Sequence, residues 1–190
     1  ALLLNNVAPE RLDAWALTDP RGRMTRREAA DRINRAANGM RAQVAPGRRI
    51  GVFSRNCSEG VLAYVASMAA GICAVPINSH LAASELAYIL ADGAIDLLFT
   101  GPECLDVALA ATAEAGGHTE VVGWRCSGTA NVVHWDEWLA AQSASEPDGD
   151  TPALPHLHYT SGTTGRPKAV HTAHTMFPQV ATVTELFAAL

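Results

Sequence analysis

"RIGVFSRNCSEGVLAYVASMAAGICAVPIN", residues 49–78, joins a short apolar run, a helical pattern and a second apolar run end to end. The flanking pieces, "RIGVFS" (49–54) and "CAVPIN" (73–78), are rich in Val, Ile and Phe and too short for helices, as buried strands are. Between them, "SEGVLAYVASMAAG" offers Ser58 as an N-cap and Gly71 as the residue just past the helix end. Val61, Leu62, Val65 and Met68 form its expected buried face. Strand, helix, strand is the unit of a parallel sheet, because parallel neighbours need a crossover long enough to return to the same edge.

The pattern continues in both directions. Upstream, "TRREAADRINRAANGM" (25–40) opens with Thr25 and Glu28 at capping-box spacing, and Ala29, Ile33, Ala36, Ala37 and Met40 recur at helical intervals. Downstream, "ASELAYILADG" (83–93) repeats the grammar with Ser84 and Gly93 as its limits. "DLLFTG" (96–101) and "EVVGW" (120–124) read as further strands, with a helix over 103–115 that ends before Gly116 and Gly117. The expected fold is therefore α/β: a doubly wound, mostly parallel sheet with helices on both faces. Right-handed crossovers would line up the carboxyl ends of the strands along one edge, the edge at which such sheets bind ligands. The rhythm breaks after Trp138. "AQSASEPDGDTPALP" (141–155) reads as a surface connection, and "TMFPQVATVTELFAAL" (175–190) as another helix with Pro178 near its start. The expected division is a subdomain over 1–150 and the start of a second over 151–190.

Composition narrows the function. Hydrophobic residues make up 48% of the 190 and charged residues 17%, enough apolar material for a core. A net charge of −5 argues against nucleic acid or an anionic membrane as the main partner. The arginines between Arg21 and Arg35 read as a solvated helix face, with a basic patch as the alternative. Cys57, Cys73, Cys104 and Cys126 are widely spaced, which points away from zinc and from a disulfide framework and towards a reducing cytoplasm. The opening "ALLLNNVAPE" is not expected to be a signal peptide, and without an initiator methionine a few residues are expected to be missing. No uninterrupted apolar run approaches the ~20 residues of a transmembrane helix.

The chemistry gathers in "HYTSGTTGRPKAV", residues 158–170. Gly162 and Gly165 let the backbone curl and turn consecutive N–H groups inward. Thr160, Ser161, Thr163 and Thr164 add hydroxyls, Pro167 stiffens the approach, and Lys168 brings a full positive charge. Amides, hydroxyls and an ammonium together suit a multiply charged oxyanion such as a nucleotide's phosphate chain. The spacing is not that of Walker A, because Lys168 comes three residues after Gly165 and Ala169 follows it. A conventional P-loop NTPase is therefore disfavoured.

"YTSGTTGRPKAV" closely resembles the phosphate-binding signature of the adenylate-forming enzymes: acyl- and aryl-CoA synthetases, luciferase, and the adenylation domains of peptide synthetases. "RMTRREAADRINRAANGM" and "SMAAGICAVPINSHLAASELAYIL" resemble earlier segments of the same family, so the likeness covers nearly the whole chain. Ala169 departs from it, standing where the family usually has glycine. The resemblance implies the N-terminal subdomain of an enzyme that activates a carboxylic acid with ATP and passes the acyl group to coenzyme A, most like a fatty-acyl-CoA synthetase. It implies that Thr160, Ser161, Gly162, Thr163, Thr164, Gly165 and Lys168 hold ATP phosphates, that Mg2+ shares the load with Thr164 nearby, and that His174 supports the loop or lines the acyl cleft. It also implies a C-terminal catalytic domain absent from this chain, so these residues alone are expected to be inactive. The alternatives are an aryl-CoA ligase, a peptide-synthetase adenylation domain, or a non-catalytic nucleotide-binding or interaction module. A homo-oligomer is compatible with each.

Several other residues invite a role. His156 and His158 alternate on one strand face, with His171 and His174 beyond the signature, but no cysteine or carboxylate is suitably spaced to complete a metal site. Ser161 lacks the GxSxG elbow of a hydrolase nucleophile. Cys104, at an expected helix start, reads as a buried or simply unreactive thiol, with one of lowered pKa as the alternative. Trp135 and Trp138 read as anchors beneath the connection rather than as an aromatic platform with Trp124.

Overall fold

Thr25 and Glu28 cap the first helix reciprocally: the Thr25 amide donates to Glu28 Oε2 at 2.8 Å, and the Glu28 amide donates to Thr25 Oγ1 at 3.3 Å. The computed structural model describes residues 2–4, 6–126, 128–160, 167–171 and 179–189. A hairpin, β1 (Trp15–Asp19) and β2 (Gly22–Thr25), leads into α1 (Arg26–Gln43). The main sheet then alternates as expected: β3 (Arg49–Phe53), α2 (Ser58–Ala70), β4 (Ala74–Ile77), α3 (Ala83–Asp92), β5 (Ile95–Thr100), α4 (Leu105–Glu114) and β6 (Glu120–Gly123). A short strand, β7 (Val133–His134), and α5 (Trp135–Ala140) complete it. The order is β4-β3-β5-β6-β7, every neighbouring pair parallel. The chain steps outward once, from β3 to β4, and returns past β3 to build the other side, the arrangement of a doubly wound sheet.

Side chains alternate across this sheet. Leu97 and Phe99 join Ile50, Val122 and the helices α1, α2 and α5, while Leu98 joins Phe53, Val75 and the helices α3 and α4. Both faces are thus covered, which explains strands that are apolar throughout. The sheet's buried hydroxyls are satisfied: Thr100 Oγ1 donates to the Phe53 carbonyl and Thr119 Oγ1 to that of Ile95, each at 2.8 Å.

Alanine sets the spacing of the first layer. α1 buries Ala36 and Ala37, and α2 buries Ala63, Ala66 and Ala70, so the two helices meet through methyl groups. This corrects the expected face of α2. Leu62 is buried, but Val61 is 46% exposed and Val65 and Met68 are only partly covered. Close approach to α1 rewards small side chains and turns the larger ones outward. The expected caps shift too. Ser58 is the first helical residue rather than the cap, and its amide donates to Asp19 Oδ2 of β1 at 3.2 Å. α3 begins at Ala83, with Glu85 reaching back to the Ala82 amide at 2.9 Å, so Ser84 lies inside the helix. Gly71 does end α2, in the left-handed conformation (φ 67°).

The connection over 141–150 has no regular secondary structure, yet it is firmly held. Asn34 donates to the Ala144 carbonyl, Arg35 to Gln142, Asn38 to Ser143 and Ser145, and Arg41 to Asp148 and to Thr151 Oγ1, at 2.6–3.2 Å. The polar face of α1 therefore grips the connection as well as meeting solvent. Arg41 also donates to Ala70 O at the end of α2, and Arg49 to Gly93 O at the end of α3. The final helix, α6 (Val183–Ala189), starts later than its pattern suggested, because Thr182 and Glu185 cap it there. It returns to the connection through Val183 N to Thr151 O and Thr184 N to Gly149 O.

Trp135 and Trp138 are buried and stacked, with ring centroids 5.6 Å apart, and Trp138 lies against Gly39 of α1. A methyl group on Gly39 would come within 2.6 Å of the Trp138 ring. Gly39→Ala is expected to destabilise the fold by about 1–3 kcal/mol through overpacking, against the ~1 kcal/mol that helix propensity alone would gain. Urea unfolding of the two proteins measures the sign.

Candidate functional site

The signature is carried by an antiparallel hairpin, β8 (Leu157–Thr160) and β9 (Lys168–His171), whose register sets Thr160 directly opposite Lys168. Ser161, Gly162, Thr163, Thr164 and Gly165, assigned to phosphate binding on sequence, lie outside the described residues, as does His174. Thr160 and Lys168 are both exposed and, as cross-strand neighbours, share one face of the hairpin with His158 and Val170. A hydroxyl and an ammonium thus stand side by side at the base of the loop, open to solvent.

The other face holds the hairpin to the body of the fold. Leu157 is buried in the cluster formed by α3, α4 and the sheet. Half-buried Tyr159 donates its hydroxyl to Asp92 Oδ2 at 2.6 Å. Burial, with that bond second, pushes the Tyr159 hydroxyl well above the ordinary tyrosine range. Among the described residues, neither strand hydrogen-bonds to the five-stranded sheet. Asp92 ends α3 just ahead of β5, so the contact of Tyr159 with it lies at the amino end of the sheet. Pro167, at the foot of β9, borders an open cleft of about 550 Å³ between α3 and α4, lined also by Glu85, Tyr88 and Glu114.

His156 rests against Tyr64 of α2, centroids 4.7 Å apart, and meets His158 edge-on. Among the described residues, no three His, Cys, Asp or Glu side chains gather where a metal could be held. Burial raises the Tyr64 hydroxyl to about 12. Cys104 is buried at the start of α4, and desolvation, then the charge of Glu103, raises its thiol. Both the burial and the raised thiol favour the buried-thiol reading over one of lowered pKa. The Tyr159–Asp92 bond and the grip of α1 on the connection were not anticipated. The recurrence of Asn34, Arg35, Asn38 and Arg41 on one helix face was the available signal for the grip, since these side chains are strong donors.

Residues 4–189 match the family described as AMP-binding enzyme. The chain belongs to that family. Its relatives include the long-chain-fatty-acid–CoA ligase FadD13 of Mycobacterium tuberculosis (strain ATCC 25618 / H37Rv), 32% identical over 171 residues, 88% of this chain and 33% of that protein. The 3-hydroxybenzoate–CoA ligase of Aromatoleum sp. (strain CIB) is 33% identical over 146 residues, 75% of this chain and 28% of that one. The chain therefore spans about a third of the length of the curated relatives it matches. Among solved structures, the inhibitor-bound N-terminal domain of FACL13 from Mycobacterium tuberculosis aligns with a TM-score of 0.68 at 31% identity, covering 87% of this chain and 41% of that one. The anthranilate CoA ligase AuaEII in complex with anthranoyl-AMP aligns with a TM-score of 0.75 over 91% of this chain and 34% of that one; at 24% identity it speaks for the fold alone. The fold is that of the N-terminal domains of adenylate-forming enzymes, and these relatives are acyl- and aryl-CoA ligases.

Burial, then the charge of His158, lowers His156 from its ordinary 6.5. The unfolded chain therefore binds this proton more readily, and the stability tied to neutral His156 is lost as pH falls below about 6.5. The thermal midpoint of the wild type should drop more between about pH 7.5 and about pH 5.5 than that of His156→Phe, which keeps a ring against Tyr64 but cannot titrate. Calorimetric scans of both proteins at the two pH values test this.

Proposed function

We propose that this chain is the N-terminal part of a cytoplasmic, AMP-forming acid–thiol ligase, divided near residue 150. In the first step a carboxylate oxygen attacks the α-phosphorus of ATP, forming an acyl-adenylate as the bond to pyrophosphate breaks. In the second, the thiol of coenzyme A attacks the acyl carbon, loses its proton and displaces AMP. The observation that carries the reading is the facing pair Thr160 and Lys168, exposed on the hairpin that bears the signature of a family whose relatives are CoA ligases. Ser161, Gly162, Thr163, Thr164 and Gly165 supply the remaining donors. Charge accumulates on the departing pyrophosphate, where fixed donors stabilise the transition state more than the bound substrate.

The described donors, a hydroxyl and an ammonium, suit phosphate oxygens better than a bare cation, so magnesium would arrive with the nucleotide and lie near Thr164. When bound it neutralises phosphate charge. The acid we favour is a fatty acid, supported by the 32% identity to FadD13; the 33% identity to the hydroxybenzoate ligase supports an aromatic acid as the second reading. His174 is assigned to the acyl end of the cleft or to support of the loop.

The chain alone should bind MgATP without catalysing carboxylate-dependent exchange of pyrophosphate into ATP. Lys168→Ala should weaken that binding about tenfold or more, the scale of a charged hydrogen bond. Calorimetric titration and an exchange assay with a long-chain fatty acid and with hydroxybenzoate test the reading. Equal affinity in the two proteins removes Lys168 from the site, and exchange by the chain alone overturns its assignment as an incomplete ligase.

A further inference from the structure

The hairpin that carries Thr160 and Lys168 is two strands wide and, among the described residues, unpaired with the main sheet. Two-stranded ribbons are marginal by themselves, so something outside the ladder must fix how this one sits. Its inner face is held by apolar packing, against β4 and the cluster beneath it, and by one directed hydrogen bond. Leu157 is buried, an apolar and therefore non-directional anchor. Two residues along the same face, the Tyr159 hydroxyl donates to the Asp92 carboxylate at 2.6 Å, a short charge-assisted bond with a defined direction. Packing at Leu157 and the Tyr159 ring holds the ribbon down without fixing its tilt, and the directed bond selects one orientation.

The footing of this strut is rigid. Asp92 closes α3 beside buried Ile89 and Leu90. The next residue, Gly93, donates its amide to Ile89 O at 2.8 Å and receives Arg49 Nη1 on its own carbonyl at 2.9 Å. A methyl group on Gly93 would meet Ile89 O at 2.7 Å and the Tyr159 hydroxyl at 3.4 Å, so the backbone here is packed tightly beneath the tyrosine. Tyr159 immediately precedes Thr160 in β8 and stands opposite Ala169, the neighbour of Lys168 in β9. Any rotation of the ribbon about Leu157 would therefore carry Thr160 and Lys168 with it.

We propose that Tyr159 and Asp92 are positioning residues: their bond ties the base of the hairpin to the end of α3 and so aims Thr160 and Lys168 at the nucleotide's phosphates. This rests on the reading of the signature as a phosphate site. Neither side chain touches the ligand; each acts through the backbone of the hairpin.

The test uses this chain, titrated calorimetrically with MgATP at a temperature where every variant is folded. Tyr159→Phe keeps the ring and removes the hydroxyl, and Asp92→Ala removes the acceptor. Each should weaken MgATP binding about tenfold, the scale of one charged hydrogen bond, and the double variant should bind no more weakly than either single one. Asp92→Asn, whose amide oxygen accepts the same hydroxyl, should recover part of the loss. A bond that only stabilised the fold would lower the unfolding midpoint and leave the affinity of the folded protein unchanged, and that result overturns the proposal. If the wild type itself fails to bind MgATP, the phosphate reading is at fault, and amide hydrogen exchange then decides the strut by itself. Tyr159→Phe should speed exchange across 157–160 and 168–171 while leaving Arg49–Phe53 protected; unchanged exchange in the hairpin refutes the strut. Should Tyr159→Phe fail to fold, Asp92→Asn supplies the same two measurements.

Discussion

Within the connection that follows the main sheet, the carbonyls of Gln142, Ser143, Ala144, Ser145 and Asp148 accept hydrogen bonds from side chains of α1. Asn34, Arg35, Asn38 and Arg41 recur on one face of that helix, and each donates to the connection. The bonds from Asn34 and Arg35 are half-buried, where an unpartnered backbone group is costly, so this row of donors helps to set where the chain runs after the main sheet is finished. The later elements take their places from it. The connection emerges beside Thr151, α6 returns to bond Gly149 and Thr151, and the signature hairpin hangs between these two points. The same helix buries its opposite face against α2, so one element carries the core on one side and the route to the site on the other.

That double use explains the alanines. A helix pair separated by methyl groups leaves little slack, and the close contact turns Val61 outward while Leu62 and Ala66 face inward. The Trp135–Trp138 stack fills the far end of the layer, with Gly39 making room for the ring. The hairpin is held through β8, where Leu157 and the Tyr159 ring pack on the second cluster and Tyr159 adds one directed hydrogen bond.

The strands of the main sheet were legible in the sequence because a parallel sheet covered on both faces leaves a continuous apolar run with abrupt ends: "RIGVFS" became Arg49–Phe53 and "EVVGW" became Glu120–Gly123. The capping box at Thr25 was equally legible, since it is local in sequence. What escaped was non-local. The α2 amide at Ser58 is met by Asp19, from a hairpin of five- and four-residue strands with no buried residue to mark them in the sequence. β7 is two residues long, too short for any period to register. The inner face of α2 was misjudged because hydrophobicity ranks valine above alanine, whereas a close helix crossing favours the smaller side chain. At the site, residue types announced an anion receptor. The orientation of the hairpin, and its contact at the amino end of the sheet, came from Tyr159 and Asp92, 67 residues apart in sequence.

That place has an electrostatic consequence. α2 and α3 both end at the amino side of the sheet, each pointing its last carbonyls, the negative end of the helix dipole, at the same region. Arg41 and Arg49 are drawn to those ends and donate to Ala70 O and Gly93 O, and Asp92 adds a carboxylate beside them. An anion approaching from the sheet side would meet helix termini of its own sign. Thr160 and Lys168 face the other way, so the hairpin turns its receptive surface out of the negative field of the helices and leaves the guanidinium groups engaged with the termini they neutralise.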